Sequence, residues 1–188
     1  YDLGRLLNDF ADEDIAFNFR EFFRANDEGK FVHEKDVWAF LNLLTKEDKE
    51  SCYPFANAEY RNIFRHSLWI VPGVASARAL SAMLQSHPVF QHFKIVNVAG
   101  DGDLEEESKD ALAAVEEAIG PDPDATRTIT LSCGRLTTGV SVKAWTAVFM
   151  LSGSYNTGAA SYMQTIFRVQ TPATINGRVK EQCYVFDF

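Results

Sequence analysis

The sequence predicts an α/β fold: a mostly parallel sheet of five or more strands, covered by helices on both faces and preceded by a helical segment. Three observations predict it. From Ser67 onward short apolar runs alternate with helix-patterned segments, as in a parallel sheet whose crossovers are helices. Runs such as Val148–Leu151 are apolar without alternation, as strands buried on both faces are. Gly and Pro fall at the ends of the runs, at Pro72–Gly73, Gly100 and Gly120–Pro121, where strands and helices must stop.

The elements follow in order. Asp14–Arg24 reads helical and carries Ile15, Phe17, Phe19, Phe22 and Phe23. Lys35–Leu44 places Val37, Phe40, Leu41 and Leu44 at helical spacing. Lys46–Glu50 is a charged connector, and Asn57–Arg65 reads as a further helix. Expected strands are Ser67–Val71, Lys94–Val98, Arg127–Ser132, Thr146–Leu151 and Gln182–Phe188. Expected helices between them are Val74–Gln85, Ser108–Ile119 and Ala159–Val169. In such a sheet the working loops lie at the carboxyl ends of strands, here Pro72–Gly73, Ala99–Asp103, Cys133–Gly139 and Ser152–Gly158.

Composition narrows the function. The chain has 188 residues, 46% hydrophobic and 23% charged, enough for one core with attached helices. No apolar run reaches the 18 residues of a membrane span, and the first residues lack the basic and apolar regions of a signal peptide. The start at Tyr1 without Met suggests an internal segment of a longer polypeptide. Cys52, Cys133 and Cys183 lie far apart with no C-x-x-C pair, so neither a disulfide framework nor a zinc site is indicated, and a reducing cytoplasm is the expected location. The net charge of −8 argues against nucleic acid at first sight. From Arg127 onward, however, six basic residues face only Glu181 and Asp187, giving +4 and leaving −12 for the rest. A basic C-terminal part suits phosphates; ordinary solvated surfaces explain the charge equally well.

The most specific signal is composite. Cys133–Gly139 reads CGRLTTG directly after an expected strand, and Gln164–Arg168 reads QTIFR on an expected helix, with the strand TAVFML between them. This order resembles motif V, a strand and motif VI of superfamily 2 helicases. LWIVPGVASARAL resembles motif IV. The resemblance covers Ser67 to Phe188, and its LTTG and Q-x-x-x-R elements are most similar to motor subunits of type I and type III restriction systems. It implies a RecA-like, P-loop NTPase-type lobe over 67–188, the C-terminal lobe of a DNA translocase. Residues 1–66 are then a helical insertion or linker from the preceding lobe.

The resemblance also implies roles. Arg168 would serve as arginine finger with Gln164 beside it at i, i+4, because phosphoryl transfer spreads negative charge that a guanidinium stabilises. Gly139, Thr137, Thr138 and Ser141 would border the ATP. Pro72, Gly73, Ser132, Cys133 and Arg135 would touch the sugar–phosphate backbone of DNA in a sequence-independent, salt-sensitive way. ATP and Mg2+ would be held mainly by an upstream RecA-like lobe, and nuclease or methyltransferase domains are implied partners. Three positions depart from the family pattern. Phe167 stands where Gly is usual, Thr171 where a second Arg is usual, and Ser141 where Asp is common. A non-catalytic interaction module with a degenerate helicase fold is the alternative reading.

Other motifs carry less. Gly153–Gly158 has P-loop spacing, but Ala159–Ala160 replaces Lys-Ser/Thr, and no G-x-G-x-x-G opens a helix. Asp101–Asp103 with Glu105–Glu107 lacks calcium-loop spacing. No metal site is therefore expected. His87 and His92 are expected at the surface, and the phenylalanines of the first helix in a core or interdomain contact rather than a base-stacking platform.

Overall fold

The computed structural model describes residues 17–47, 53–100, 105–133, 142–152 and 159–188, with side chains from 109 onward in the third stretch. Two short helices and one longer helix come first: α1 (Phe19–Phe22), α2 (Glu34–Leu44) and α3 (Ala58–Ile63). There follow β1 (His66–Ile70), α4 (Val74–Ser86), β2 (Lys94–Asn97), α5 (Glu105–Ile119), β3 (Thr128–Ser132), β4 (Ala147–Met150) and α6 (Ala159–Val169). A small hairpin, β5 (Thr174–Ile175) and β6 (Arg178–Val179), precedes β7 (Tyr184–Asp187).

Five strands form one sheet in the order β2-β3-β1-β4-β7, and every neighbouring pair is parallel. The three inner strands, β3, β1 and β4, are buried at every position. That is why β4 and Leu68–Ile70 of β1 are apolar without alternation, while β3 buries Thr128, Thr130 and Ser132 between its apolar residues. The chain moves one way from β1 to β2 and the other way from β2 onward. Right-handed crossovers then require helices on opposite faces, and the packing obeys this. Trp69, Val71, Ile129, Leu131, Phe149 and Leu151 face α4 and the N-terminal helices. Leu68, Ile70, Val148 and Met150 face α5 and the Val169 end of α6.

The N-terminal aromatics join this core. Phe55 is fully buried and stacks on Phe149 of β4 at 5.5 Å. Phe22 and Phe23 meet Phe40 of α2 edge-on, both at 6.1 Å. Burying such rings supplies most of the adhesion between the helical segment and the sheet. Asparagine caps start the short helices: Asn18 accepts from the Glu21 amide at 3.0 Å and Asn57 from the Tyr60 amide at 2.9 Å.

Three expectations need correction. The expected helix through Arg24 is helical only over Phe19–Phe22, with residues 14–16 outside the described residues. Beyond Phe23 the chain turns back: Asn26 Oδ1 accepts from the Glu28 and Lys30 amides, Gly29 has φ 76, and Ala25 bridges Phe31. His87 is not a surface residue but 1% exposed. The N-terminal helices pack over the end of α4, and Asn42 and the Val89 amide hydrogen-bond its two ring nitrogens. The β5–β6 hairpin was not anticipated. Its turn, Asn176–Gly177, has φ 48 and φ 78, the paired positive φ for which Asn-Gly is the preferred dipeptide.

Candidate functional site

The carboxyl ends of β1 and β3 bring four candidate residues together. Ile70 pairs with Ser132, and the next amide, Val71, donates to the Ser132 carbonyl at 2.8 Å. Pro72 and Gly73 therefore leave the sheet beside Cys133. Pro72, Gly73 and Cys133 are half-buried. Ser132 is fully buried, so it forms the floor of this rim and is corrected from a surface contact to a supporting residue.

Gly73 caps α4 with an extended backbone, φ −174, and as a glycine brings no side-chain acceptor of its own to that helix start. A Cβ built on Gly73 would meet nothing within 4 Å. A helix start with an open approach is what an anionic backbone can use. The position of this helix end is set from the N-terminal segment: Ser76, 7% exposed, donates from Oγ to the Phe23 carbonyl at 2.7 Å. Sequence reasoning missed Ser76, since nothing in its spacing marks a partner 53 residues away.

The second set lies on α6. This helix runs antiparallel to the strands. Near its start Tyr162 donates to Asp187 Oδ2 at the carboxyl end of β7, at 2.7 Å. Burial, with that carboxylate, pushes the Tyr162 hydroxyl up to about 12. At its end Val169 sits by the amino end of β4, held through Lys180. Thr165 and Val169 are buried, while Gln164 is exposed and Arg168 half-buried, one turn apart. Arg168 is thus at the far end of α6 from the rim of Pro72, Gly73 and Cys133.

The two candidate sets are separate surfaces, not one. Arg135, Thr137, Thr138, Gly139 and Ser141 lie outside the described residues. Val142, which follows them, packs in the same cluster as Val169, the neighbour of Arg168. Among the described residues no group of three His, Cys, Asp or Glu side chains could hold a metal ion. None of the described helices is long and apolar enough to cross a membrane.

Comparison with solved structures matches this architecture. The C-terminal part of the Fun30 ATPase domain superposes with a TM-score of 0.50 over 87% of this chain and 43% of its own, at 13% identity. The type ISP restriction-modification enzyme LlaBIII, an ATP-dependent enzyme solved bound to DNA, gives a TM-score of 0.51 over 81% of this chain and 9% of its own, at 17% identity.

The fold is RecA-like.

In sequence, the lobe is 33% identical to a Mycoplasma pneumoniae protein whose name assigns it provisionally to the C-terminus of a type II restriction enzyme and methyltransferase. The match covers 91% of the chain and 25% of that relative's length. No protein-family description matches the lobe. Its neighbours in fold are thus part of an ATPase and part of a restriction-modification enzyme, and its relative in sequence carries a restriction-modification name.

Proposed function

We propose that this chain is the second motor lobe of an ATP-dependent DNA translocase within a restriction-modification or phage-defence enzyme. The observation that carries the reading is the pair Gln164 and Arg168, one turn apart on a helix whose inner side is anchored by Thr165 and Val169. The helix is fixed to the sheet, with Gln164 exposed and Arg168 half-buried on its flank. A facing lobe that binds ATP and Mg2+ would find a guanidinium there to stabilise charge on the transferring phosphoryl group. Gln164 would hydrogen-bond beside it. In this reading the facing lobe would hold the Mg2+, and this lobe alone should turn over no ATP.

The rim of Pro72, Gly73 and Cys133 would grip the DNA backbone on a different surface. Separation of the two surfaces suits a motor, because closing the nucleotide cleft then shifts the grip on DNA. The names of LlaBIII and of the Mycoplasma relative support DNA as the polymer and nuclease or methyltransferase domains as neighbours.

The test is Arg168→Ala in the full-length protein, with DNA-stimulated ATPase and DNA affinity measured separately. ATPase should fall by about 10³-fold or more while DNA affinity changes little. Wild-type turnover in that variant sinks the reading.

One observation favours the alternative of a non-catalytic interaction module. Phe167 and Met163 are 53% and 45% exposed, one turn apart on the same helix, and an apolar pair of this kind suits a protein contact. That alternative expects Phe167→Ala to weaken lobe association and Arg168→Ala to leave ATPase intact.

A further inference from the structure

Lys180 follows the β5–β6 hairpin and drives its ammonium into a ring of main-chain carbonyls. Nζ lies 3.1 Å from the carbonyls of Lys143, Trp145 and Val169. An ammonium has three protons and no acceptor, so every donor is used. Its own amide donates to the Ala173 carbonyl at 2.9 Å, which fixes the base of the side chain as well.

The three carbonyls come from two places that matter. Lys143 and Trp145 belong to the turn that enters β4. Val169 is the last residue of α6 and the neighbour of Arg168. The last carbonyls of any helix lack partners within it, and a cation at that end is favoured by the helix dipole. Lys180 is half-buried, and burial lowers its pKa below the usual lysine value. A long flexible cation gives up water and rotamer freedom to sit there. The convergence of carbonyls from a helix end and a strand entrance offsets that cost by holding the two together at one point.

We propose that Lys180 is the positioning residue for Arg168: it pins the C-terminal turn of α6 to the entrance of β4, and so fixes where the guanidinium is presented. The inference rests on the reading of Arg168 as the group that completes the nucleotide cleft. Lys180 itself touches no nucleotide. Without it the Val169 carbonyl loses its cap, and the last turn of α6, held then by the Thr171 hydroxyl on the Arg168 carbonyl at 3.3 Å, fixes Arg168 less firmly. Misplacement by about 1 Å at such a group costs on the order of 10²-fold in rate.

The experiment uses the full-length protein with four forms: wild type, Arg168→Ala, Lys180→Met and the double variant. Steady-state ATPase with saturating DNA gives kcat and the KM for ATP, and hydrogen exchange is followed over the peptide containing Thr165–Gln170. Lys180→Met should lower kcat at least about tenfold with KM changed by less than about threefold, the signature of a lost transition-state interaction. It should also speed exchange in the last turn of α6, a local opening that leaves the sheet protected. In the double variant the kcat loss should be no larger than in Arg168→Ala alone. If Lys180→Met does not fold, Lys180→Gln, which keeps two donors, enters the same comparison. Wild-type ATPase in Arg168→Ala overturns the functional reading and the positioning role with it. Loss in Arg168→Ala with wild-type kcat in Lys180→Met overturns the positioning role alone. So do multiplying losses in the double variant, or unchanged exchange in the last turn of α6.

Discussion

The Val71 amide donates to the Ser132 carbonyl one residue beyond the end of β1. This bond carries the pairing of β1 and β3 to the edge of the sheet. It sets the exits of both strands side by side and makes one rim from two stretches of sequence about sixty residues apart.

Gly73 on that rim tests whether the rim binds DNA. Its backbone is extended and a Cβ there has open space, so folding does not need glycine. Gly73→Ala should leave stability within about 0.5 kcal/mol of wild type. DNA affinity should drop several-fold, because an added methyl group blocks close approach of a phosphate to the amides of α4. Thermal melts and DNA titrations at several salt concentrations measure the two effects. Undiminished DNA binding would remove Gly73 from the contact surface.

Phe55 tests whether the helical segment is part of the core. It lies between Trp69, Phe90, Phe93 and Phe149, with ring centroids 5.0 to 5.9 Å away. Phe55→Ala leaves a cavity in a site that cannot collapse easily, with an expected loss of about 3–5 kcal/mol. Denaturant titration gives the value. A loss below about 1 kcal/mol would mean that the segment is dispensable to the sheet.

His66 gives the fold a pH dependence. It is 2% exposed. Its Nε2 donates to the Pro123 carbonyl at 2.8 Å, so its Nδ1 accepts from the Thr128 hydroxyl at 2.9 Å. Burial holds its pKa below the ordinary 6.5, with the Pro123 bond opposing in part. The folded state therefore binds fewer protons than the unfolded chain at mildly acidic pH. Stability from this residue is fully present above about pH 6.5 and is lost as pH falls through the folded pKa. His87 shifts in the same direction through burial and adds to the slope. Melts between about pH 5 and 8 should show stability rising with pH, and His66→Gln should flatten part of that rise. An unchanged slope in the variant would clear His66 of the effect.

Asn176 holds the hairpin to the loop before β3. Its amide donates to Asp122 Oδ1 at 2.8 Å and to Asp124 Oδ2 at 2.7 Å, and Arg178 pairs with the same Asp124 carboxylate. These groups are largely exposed, so the charges contribute little; the backbone contributes more. Asn176→Ala combines loss of both bonds with a side chain that resists positive φ, and should cost about 1–2 kcal/mol. Exchanging Gly177 for Val should cost at least as much, since a β-branched residue at φ 78 is strained. Thermal melts check both, and a neutral Asn176→Ala would show that the hairpin docks by its apolar residues alone.

Much of this fold is legible in the residues. β1 and β4 carry short apolar runs and β3 is rich in β-branched residues, so pattern finds the inner strands within a residue or two. Helix α6 was found at both ends because its apolar positions repeat cleanly. Pattern failed where the partner is distant in sequence. His87 looks like a surface histidine until α2 closes over it, and the phenylalanines near Phe19 look like one long helix until the Asn26 turn reverses the chain. Asn176–Gly177 was readable as a hairpin signal but was overlooked between two stronger elements. For the candidate site, Gln164 and Arg168 could be seen as a pair. Their separation from the Gly73 rim could not, because it depends on the direction in which α6 runs. Ser76 and Lys180 carry no local signal, since each is defined by the carbonyls it meets.

The order of strands has a consequence for synthesis on the ribosome. β1 is the middle strand, yet its partners begin at Thr128 and Ala147. Leu68, Trp69 and Ile70 must therefore leave the exit tunnel long before anything exists to pair with them. At about 5–20 residues per second this apolar stretch waits several seconds in an unfinished polypeptide. Early cover for Trp69 comes from Phe55, which precedes it, and from α4 and Phe90, which follow soon after. The aromatic N-terminal segment thus acts as a temporary shelter for the nascent centre of the sheet, and truncating it should shift expression toward chaperone-bound or insoluble material.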